Sequence, residues 1–315
     1  MSGTTEADSL SGCDLDGRPS RWKLINREEI HLPGSRLRTC RVQTTDGATL
    51  VLRSPYAAGD ENSRMLLDNE IRALARLTRA FPDRRPRPFP ALAGYAMDTL
   101  EPWALFHDYL GVPAREVTDR LLGADQRDFM VNVFDALAHL SLVEVVHGQL
   151  SLDSIRLDGD RIQLVLFEDA ALVGEPDRRR GGRVTPETDA RAAGCLLYEA
   201  FTGTRPAGRP DLAEIPLLAS RLGDLFTASG PVPEATEVLR RLGREDFPRI
   251  EGVDELEAGR AAFDVARERK RPKPQPVPAP PAPPRRSSRV VVTLLSTAAL
   301  LLVAVVWLVL IGVSA

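Results

Sequence analysis

A run of guanidinium groups is the most concentrated chemistry in this chain. Asp177-Arg-Arg-Arg-Gly-Gly-Arg183 gathers Arg178, Arg179, Arg180 and Arg183 into one short segment. Guanidinium forks match carboxylate and phosphate oxygens, so the segment suits a phosphorylated or acidic protein partner; the plainer alternative is a solvated loop. Metal chemistry has less to work with. Cys13, Cys40 and Cys195 are scattered, with no C-x-x-C pair and no ligand-like spacing. That argues against a zinc site or a disulfide framework and fits a reducing compartment. A net charge of −3 over 315 residues gives no global basic character for nucleic acid.

The elements that must position these groups change character along the chain. WKLI (22–25), RTCRVQ (38–43) and TLVLR (49–53) are short β-prone runs, and Asp46-Gly47 between the last two is a hairpin turn signal. ENSRMLLDNEIRALARLTRAF follows, with Leu67, Ile71, Leu74 and Leu77 at helical spacing. LAGYAM (92–97) and WALFHDY (103–109) are strand-like again. From about residue 113 the pattern turns helical: Phe129, Val133, Leu137 and Leu140 share one face. IRL (155–157) and IQLVLF (162–167) flank an Asp-Gly-Asp turn as a small hairpin. ETDARAAGCLLYEAFTGT is an apolar helix stopping at Gly203, and LLASRLGDLFTA, EATEVLRRLG and VDELEAGRAAFDVARERK are expected as further helices.

A small β-rich lobe with one helix, then a helical lobe, resembles the protein-kinase layout over about residues 20–265. The segment TDARAAGCLLYEAFTGTRP (188–206) is similar to the kinase pattern D-x-x-x-x-G-x-x-L-Y-E-x-x-T-G-x-x-P, with Asp189, Gly194, Leu197, Tyr198, Glu199, Thr202, Gly203 and Pro206 in place. The resemblance implies that Asp189 opens a buried central helix and accepts backbone N–H groups near His147 and Gly148. HGQLSLDSIRL (147–157) aligns with the catalytic loop: His147, Leu150, Ile155 and Leu157 are kept, but Gln149 stands where the catalytic aspartate belongs and Ser154 where a metal-binding asparagine belongs. LVLFEDAAL (164–172) aligns with the strand entering D-F-G, keeping Phe167 while Leu166 replaces the metal-holding aspartate and Glu168 the glycine. Arg53 takes the place of the phosphate-binding lysine, with Glu70 as its helix partner. Of the glycine-rich loop, expected within 30–42, only Gly34 remains, crowded by Arg36 and Arg38. Thr185-Pro186-Glu187 resembles a remnant of A-P-E, which would pair Glu187 with Arg249.

Phosphoryl transfer works by positioning and charge neutralisation; its metal needs hard oxygens, and an amide such as Gln149 accepts no proton near neutral pH. The resemblance therefore implies an inactive member, a pseudokinase without cofactor, similar to the membrane-tethered serine/threonine kinases and pseudokinases of actinobacteria. The alternative is an atypical Ser/Thr kinase with residual ATP and magnesium binding, in which Asp153, Glu168 or Asp169 reaches a metal through a local slip. For Asp153 and Asp169 the preferred reading is solvated loop carboxylates.

The expected fold class is thus α+β: a two-lobed protein-kinase-like fold plus a C-terminal transmembrane helix. Residues 1–19 form a disordered N-terminus with no apolar stretch for a cleaved signal, 20–110 the small lobe and 111–265 the larger lobe. A Pro/Arg-rich juxtamembrane linker, held extended by proline, covers 266–289. Val290 to Ala315 carries no charged side chain, and the transmembrane helix is placed at 290–313, beyond the roughly 20 apolar residues a bilayer needs. Arg267, Arg269, Lys270, Arg271, Lys273, Arg285, Arg286 and Arg289 precede it, which by the positive-inside rule leaves the main domain cytoplasmic. A membrane-anchored scaffold for a cytoplasmic protein partner is the expected function.

Overall fold

The computed structural model describes residues 8–82, 88–118, 121, 123–177, 181–208, 210–227 and 231–248. Arg178, Arg179, Arg180, Arg249, the linker at 266–289 and the apolar run at 290–313 lie outside them. Among the described residues no helix is long and apolar enough to cross a membrane.

β1 (Asp8–Cys13), β2 (Pro19–Glu29), β3 (Arg38–Thr44), β4 (Thr49–Ser54), β5 (Leu92–Ala96) and β6 (Trp103–His107) close into a barrel in the order β1-β2-β3-β4-β6-β5. All its pairings are antiparallel. β1 corrects the expectation of a disordered stretch over 1–19. It pairs with β2 from Asp8↔Leu24 to Cys13↔Pro19 and meets β5 at Cys13↔Tyr95. A tight turn makes the pairing local: Asp14 Oδ1 accepts the amides of Asp16 (3.0 Å) and Arg18 (2.8 Å), an Asx-type arrangement.

The seam is packed by aromatic rings. Trp22 and Trp103 meet edge to face with centroids 5.6 Å apart, and with Leu10, Leu24, Cys40, Val42, Leu50, Leu52, Ala93, Ala96 and Leu105 they form the barrel's own core. Glycine is required at the seam because the rings lie on the backbone. A Cβ at Gly94 would overlap Trp22, and one at Gly12 would overlap Trp103 and the Tyr95 carbonyl.

Between β4 and β5 runs α1 (Glu61–Ala80), started by Asp60, whose side chain accepts from Asn62 N. Its stripe of Leu67, Ile71, Leu74 and Leu77 is buried as the periodicity predicts. Its polar side ties the small lobe to the rest. Asn69 Nδ2 donates to Glu168 O (2.9 Å), Arg72 pairs with Glu175 (2.5 Å) and Arg76 with Glu144 (3.3 Å), residues spaced to share one helical face.

The larger lobe holds α2 (Ala124–Leu142), α3 (Glu187–Thr202), α4 (Pro216–Leu222) and α5 (Ala235–Arg241). Short strands connect them: β7 (Val112–Pro113), β8 (Val145–Val146), β9 (Ile155–Asp158), β10 (Arg161–Leu164) and β11 (Ala171–Leu172). β9 pairs with β10 and β7, and β8 with β11. α3 stops at Gly203 as expected, and its Gly194 admits Leu225 and Phe226 close to the helix backbone. The architecture is mixed α+β with antiparallel sheets, consistent with a kinase-like lobe. The expected helix over VDELEAGRAAFDVARERK lies outside the described residues.

Candidate functional site: a cleft filled with its own charges

Hairpin β9–β10 delivers the chain to Leu166, which sits in left-handed backbone at φ 65°. For a leucine that conformation costs roughly 1–2 kcal/mol, and it starts a tight turn over Phe167–Asp169. The turn aims Glu168 back under the small lobe, where it is 1% exposed. There Glu168 Oε1 meets Arg53 Nη2 at 2.5 Å and the Ser35 hydroxyl at 2.7 Å. Its Oε2 accepts from Arg36 N (2.9 Å) and Arg36 Nε (3.2 Å). The Arg36 fork goes on to Asp169 Oδ2 at 2.5 Å and Gln149 Oε1 at 3.5 Å.

Arg53 and Glu70 do come together, 3.3 Å apart and both fully buried. Glu168 is the nearer partner, a role the sequence reading did not give it. Among the described residues, Arg53 Nε and Nη1 find no hydrogen-bond acceptor, so this guanidinium depends on its carboxylates for compensation. Burial opposes the Arg53 charge, but Glu70, Tyr109 and Glu168 outweigh it and raise its pKa. Burial would also raise Glu168; Arg53, the Ser35 hydroxyl and the Arg36 amide win and hold it below the usual carboxylate range. Glu70 goes the other way, pushed by burial up to about 7 against the pull of Arg53.

The remaining expected site residues have duties inside the fold. Asp189 accepts from His147 N (2.5 Å) and Gly148 N (3.0 Å). His147 Nε2 lies 2.9 Å from Val165 O, and Nδ1 faces the Gln149 amide; burial lowers the pKa of this imidazole. Gly148, at φ 79°, lies so close to Asp169 that a Cβ would be 2.5 Å from its carbonyl oxygen. Ser154 is fully buried and bonds locally, its Oγ donating to Ser151 O and accepting from Ser151 N, each at 2.9 Å. Leu166 is 4% exposed and joins the apolar core.

Asp153 and Asp169 are not the solvated loop carboxylates of the sequence reading. Arg115 grips Asp153 with two nitrogens (2.7 and 3.0 Å) and reaches Glu199 with the third (2.9 Å), while Asp169 belongs to Arg36. A loop carboxylate beside a cleft attracts whatever cation the fold brings there, and here it brings arginines from distant sequence. Glu187 is exposed at the start of α3, with Arg249 outside the described residues. Arg183 closes a short turn, bridging to Pro176 and donating to Gly174 O at 2.6 Å.

The segment joining the lobes is bonded just as tightly. Leu110 N donates to Gln163 Oε1 (3.0 Å), and Arg156 donates to Leu110 O (2.9 Å) and Gly111 O (2.5 Å). Sequence reasoning singled out neither Gln163 nor Arg156, because nothing in the spacing marks a side chain that will face backbone 46 or 53 positions away. Ser35 was missed for the same reason. Among the described residues no group of His, Cys, Asp and Glu is placed to hold a metal ion.

Comparison with known proteins gives a weak kinase likeness. The chain is 24% identical to the serine/threonine-protein kinase PrkC of Bacillus subtilis (strain 168) over 163 residues, 44% of this chain and 25% of the relative. It thus spans about a quarter of the length of the curated relative it matches. No family model matches.

Proposed function

We propose that this chain is a catalytically inactive, kinase-like scaffold or signalling adaptor, anchored to a membrane by residues 290–313 and presenting its folded part to a cytoplasmic protein partner. The observation that carries this reading is the pairing of Arg53. The basic group aligned with the phosphate-binding lysine is sealed between Glu70 and Glu168, with no exposed surface. A charge needed by a triphosphate must be available to it, and this one is already neutralised. Leu166 adds an alkyl group where the alignment calls for a metal ligand.

The test uses the purified full chain with ATP and magnesium, read by thermal shift and by transfer of labelled phosphate. The reading expects neither; a ligand present well above its Kd would raise the melting temperature by mass action. A magnesium-dependent shift with label transfer overturns it in favour of an atypical Ser/Thr kinase. Membrane attachment has its own test: the chain should fractionate with membranes and become soluble when cut before residue 290.

A further inference from the structure

The segment at 33–36 lies within 30–42, where the alignment places the phosphate-covering loop. Here it crosses the cleft and binds the far side. Ser35 and Arg36 supply four contacts to Glu168, from one hydroxyl, one backbone amide (to both oxygens) and one guanidinium nitrogen. Arg36 also ion-pairs with Asp169. Gly34, at φ 80°, approaches the larger lobe so closely that a Cβ there would touch Asp153 and Leu166, at 3.6 and 3.7 Å. The loop also folds on itself: Ser35 Oγ accepts from Leu37 N (3.1 Å) and lies 2.9 Å from Leu37 O, its one proton shared between that carbonyl and the shorter contact to Glu168.

We propose that residues 33–36, between the buried anchors Leu32 and Leu37, are a built-in strap, a self-ligand of the cleft, which Ser35 and Arg36 latch onto Glu168 and Asp169, and which a negative charge placed at position 35 releases. The proposal rests on the kinase-like reading of the cleft and deepens it by naming the device that governs its exposure. Two features make the strap a two-state element rather than ordinary packing. First, Arg36 is 37% exposed while its main anchor Glu168 is 1% exposed, so the strap can lift without unfolding what it covers. Second, Leu32 and Leu37 stay in the apolar core, and between them the contacts to Glu168 and Asp169 are polar and concentrated on two adjacent residues, Ser35 and Arg36. Adding a negative group at Ser35 would replace a donated hydrogen bond at 2.7 Å with repulsion between like charges, biasing the equilibrium toward the open state. In that state Glu168 keeps Arg53, so the buried guanidinium stays compensated, and the cleft offers the surface now hidden by the strap.

The experiment compares amide hydrogen exchange in full-length wild type, Ser35→Asp and Ser35→Ala, without nucleotide. Arg36 N–H donates to a buried carboxylate, a bond strong enough to slow exchange about tenfold or more. Ser35→Asp should speed exchange by that factor across 34–37 and more modestly at 166–169. Ser35→Ala, which loses a bond but adds no charge, should do so far less. Amides in β2 and β6, around the Trp22–Trp103 seam, report whether each variant is folded and should be unchanged. Equal protection of 34–37 in wild type and Ser35→Asp overturns the proposal. So does equal acceleration in the two variants, or acceleration that spreads to the barrel seam; Arg36→Ala, which cuts the same latch without a new charge, must then also fail to free 34–37 selectively. ATP binding by the wild type would sink the inactive reading but leave this result intact, since it is measured without ligand.

Discussion

Two buried carboxylates, Asp189 and Glu168, hold this molecule together in different ways. Asp189 takes up backbone: the amides of His147 and Gly148 point at it. Glu168 is satisfied mainly by side chains and a loop amide that come from Arg53, Ser35 and Arg36, more than 100 positions away in sequence. The first arrangement fixes the course of a loop, and it needs the aspartate and a glycine at 148. The second neutralises a guanidinium and ties together segments more than 100 positions apart. One carboxylate shapes a loop, and the other joins distant segments through internal charge pairing.

That contrast breaks most directly at Glu168. Glu168→Ala removes the nearest counter-charge of a fully buried guanidinium, and the expected loss is about 3–5 kcal/mol of stability, read by urea denaturation. A loss under about 1 kcal/mol would mean that Glu70 alone compensates Arg53. Asp189→Ala should lose somewhat less, about 2–3 kcal/mol, because it orphans two buried amides rather than a charge; Asp189→Asn, which keeps one acceptor, should recover part of it. Away from both sites, Gly94→Ala sharpens the comparison by testing a region held by packing. Its methyl overlaps Trp22, so about 1–3 kcal/mol should be lost together with a change in tryptophan fluorescence.

The smaller effects lie in pH and at the surface. Glu70 is raised to about 7 in the folded state, against about 4.3 unfolded. Between those values the native state binds the extra proton, so this group makes stability fall as pH rises. Glu168, held below its ordinary value, has the opposite sign: its contribution is full above the unfolded pKa and is lost as pH falls through the folded one. Glu70→Gln should therefore flatten the decline between about pH 4.5 and 7, by about 1 kcal/mol per pH unit, and leave the acid limb in place. Least of all should Arg115→Ala matter: the guanidinium side of its ion pairs is 47% exposed, and about 1 kcal/mol is expected.

Much of the fold is legible from local pattern. Leu67, Ile71, Leu74 and Leu77 announce α1, and Phe129, Val133, Leu137 and Leu140 announce α2, because a helix repeats its buried face within a few residues. Asp46-Gly47 marks its hairpin. The same dipeptide at Asp16-Gly17 lies between β1 and β2, but serine-rich DSLSGC lacks the β-branched run that normally flags a strand, and its pairing with β2 and closure against Tyr95 give it a place.

Composition and periodicity determined the described helices, most strands and the apolar run at 290–315, since each of these is local or compositional. Only the tertiary structure decided where the charges went. Whether Asp153 faces solvent or Arg115, and whether Glu168 is a stray acid or the joint between Arg53, Ser35 and Arg36, depends on which residues meet across long stretches of chain. Ion pairing at such range leaves no periodic trace in sequence, because one carboxylate and one guanidinium suit each other equally well at any separation the fold can close.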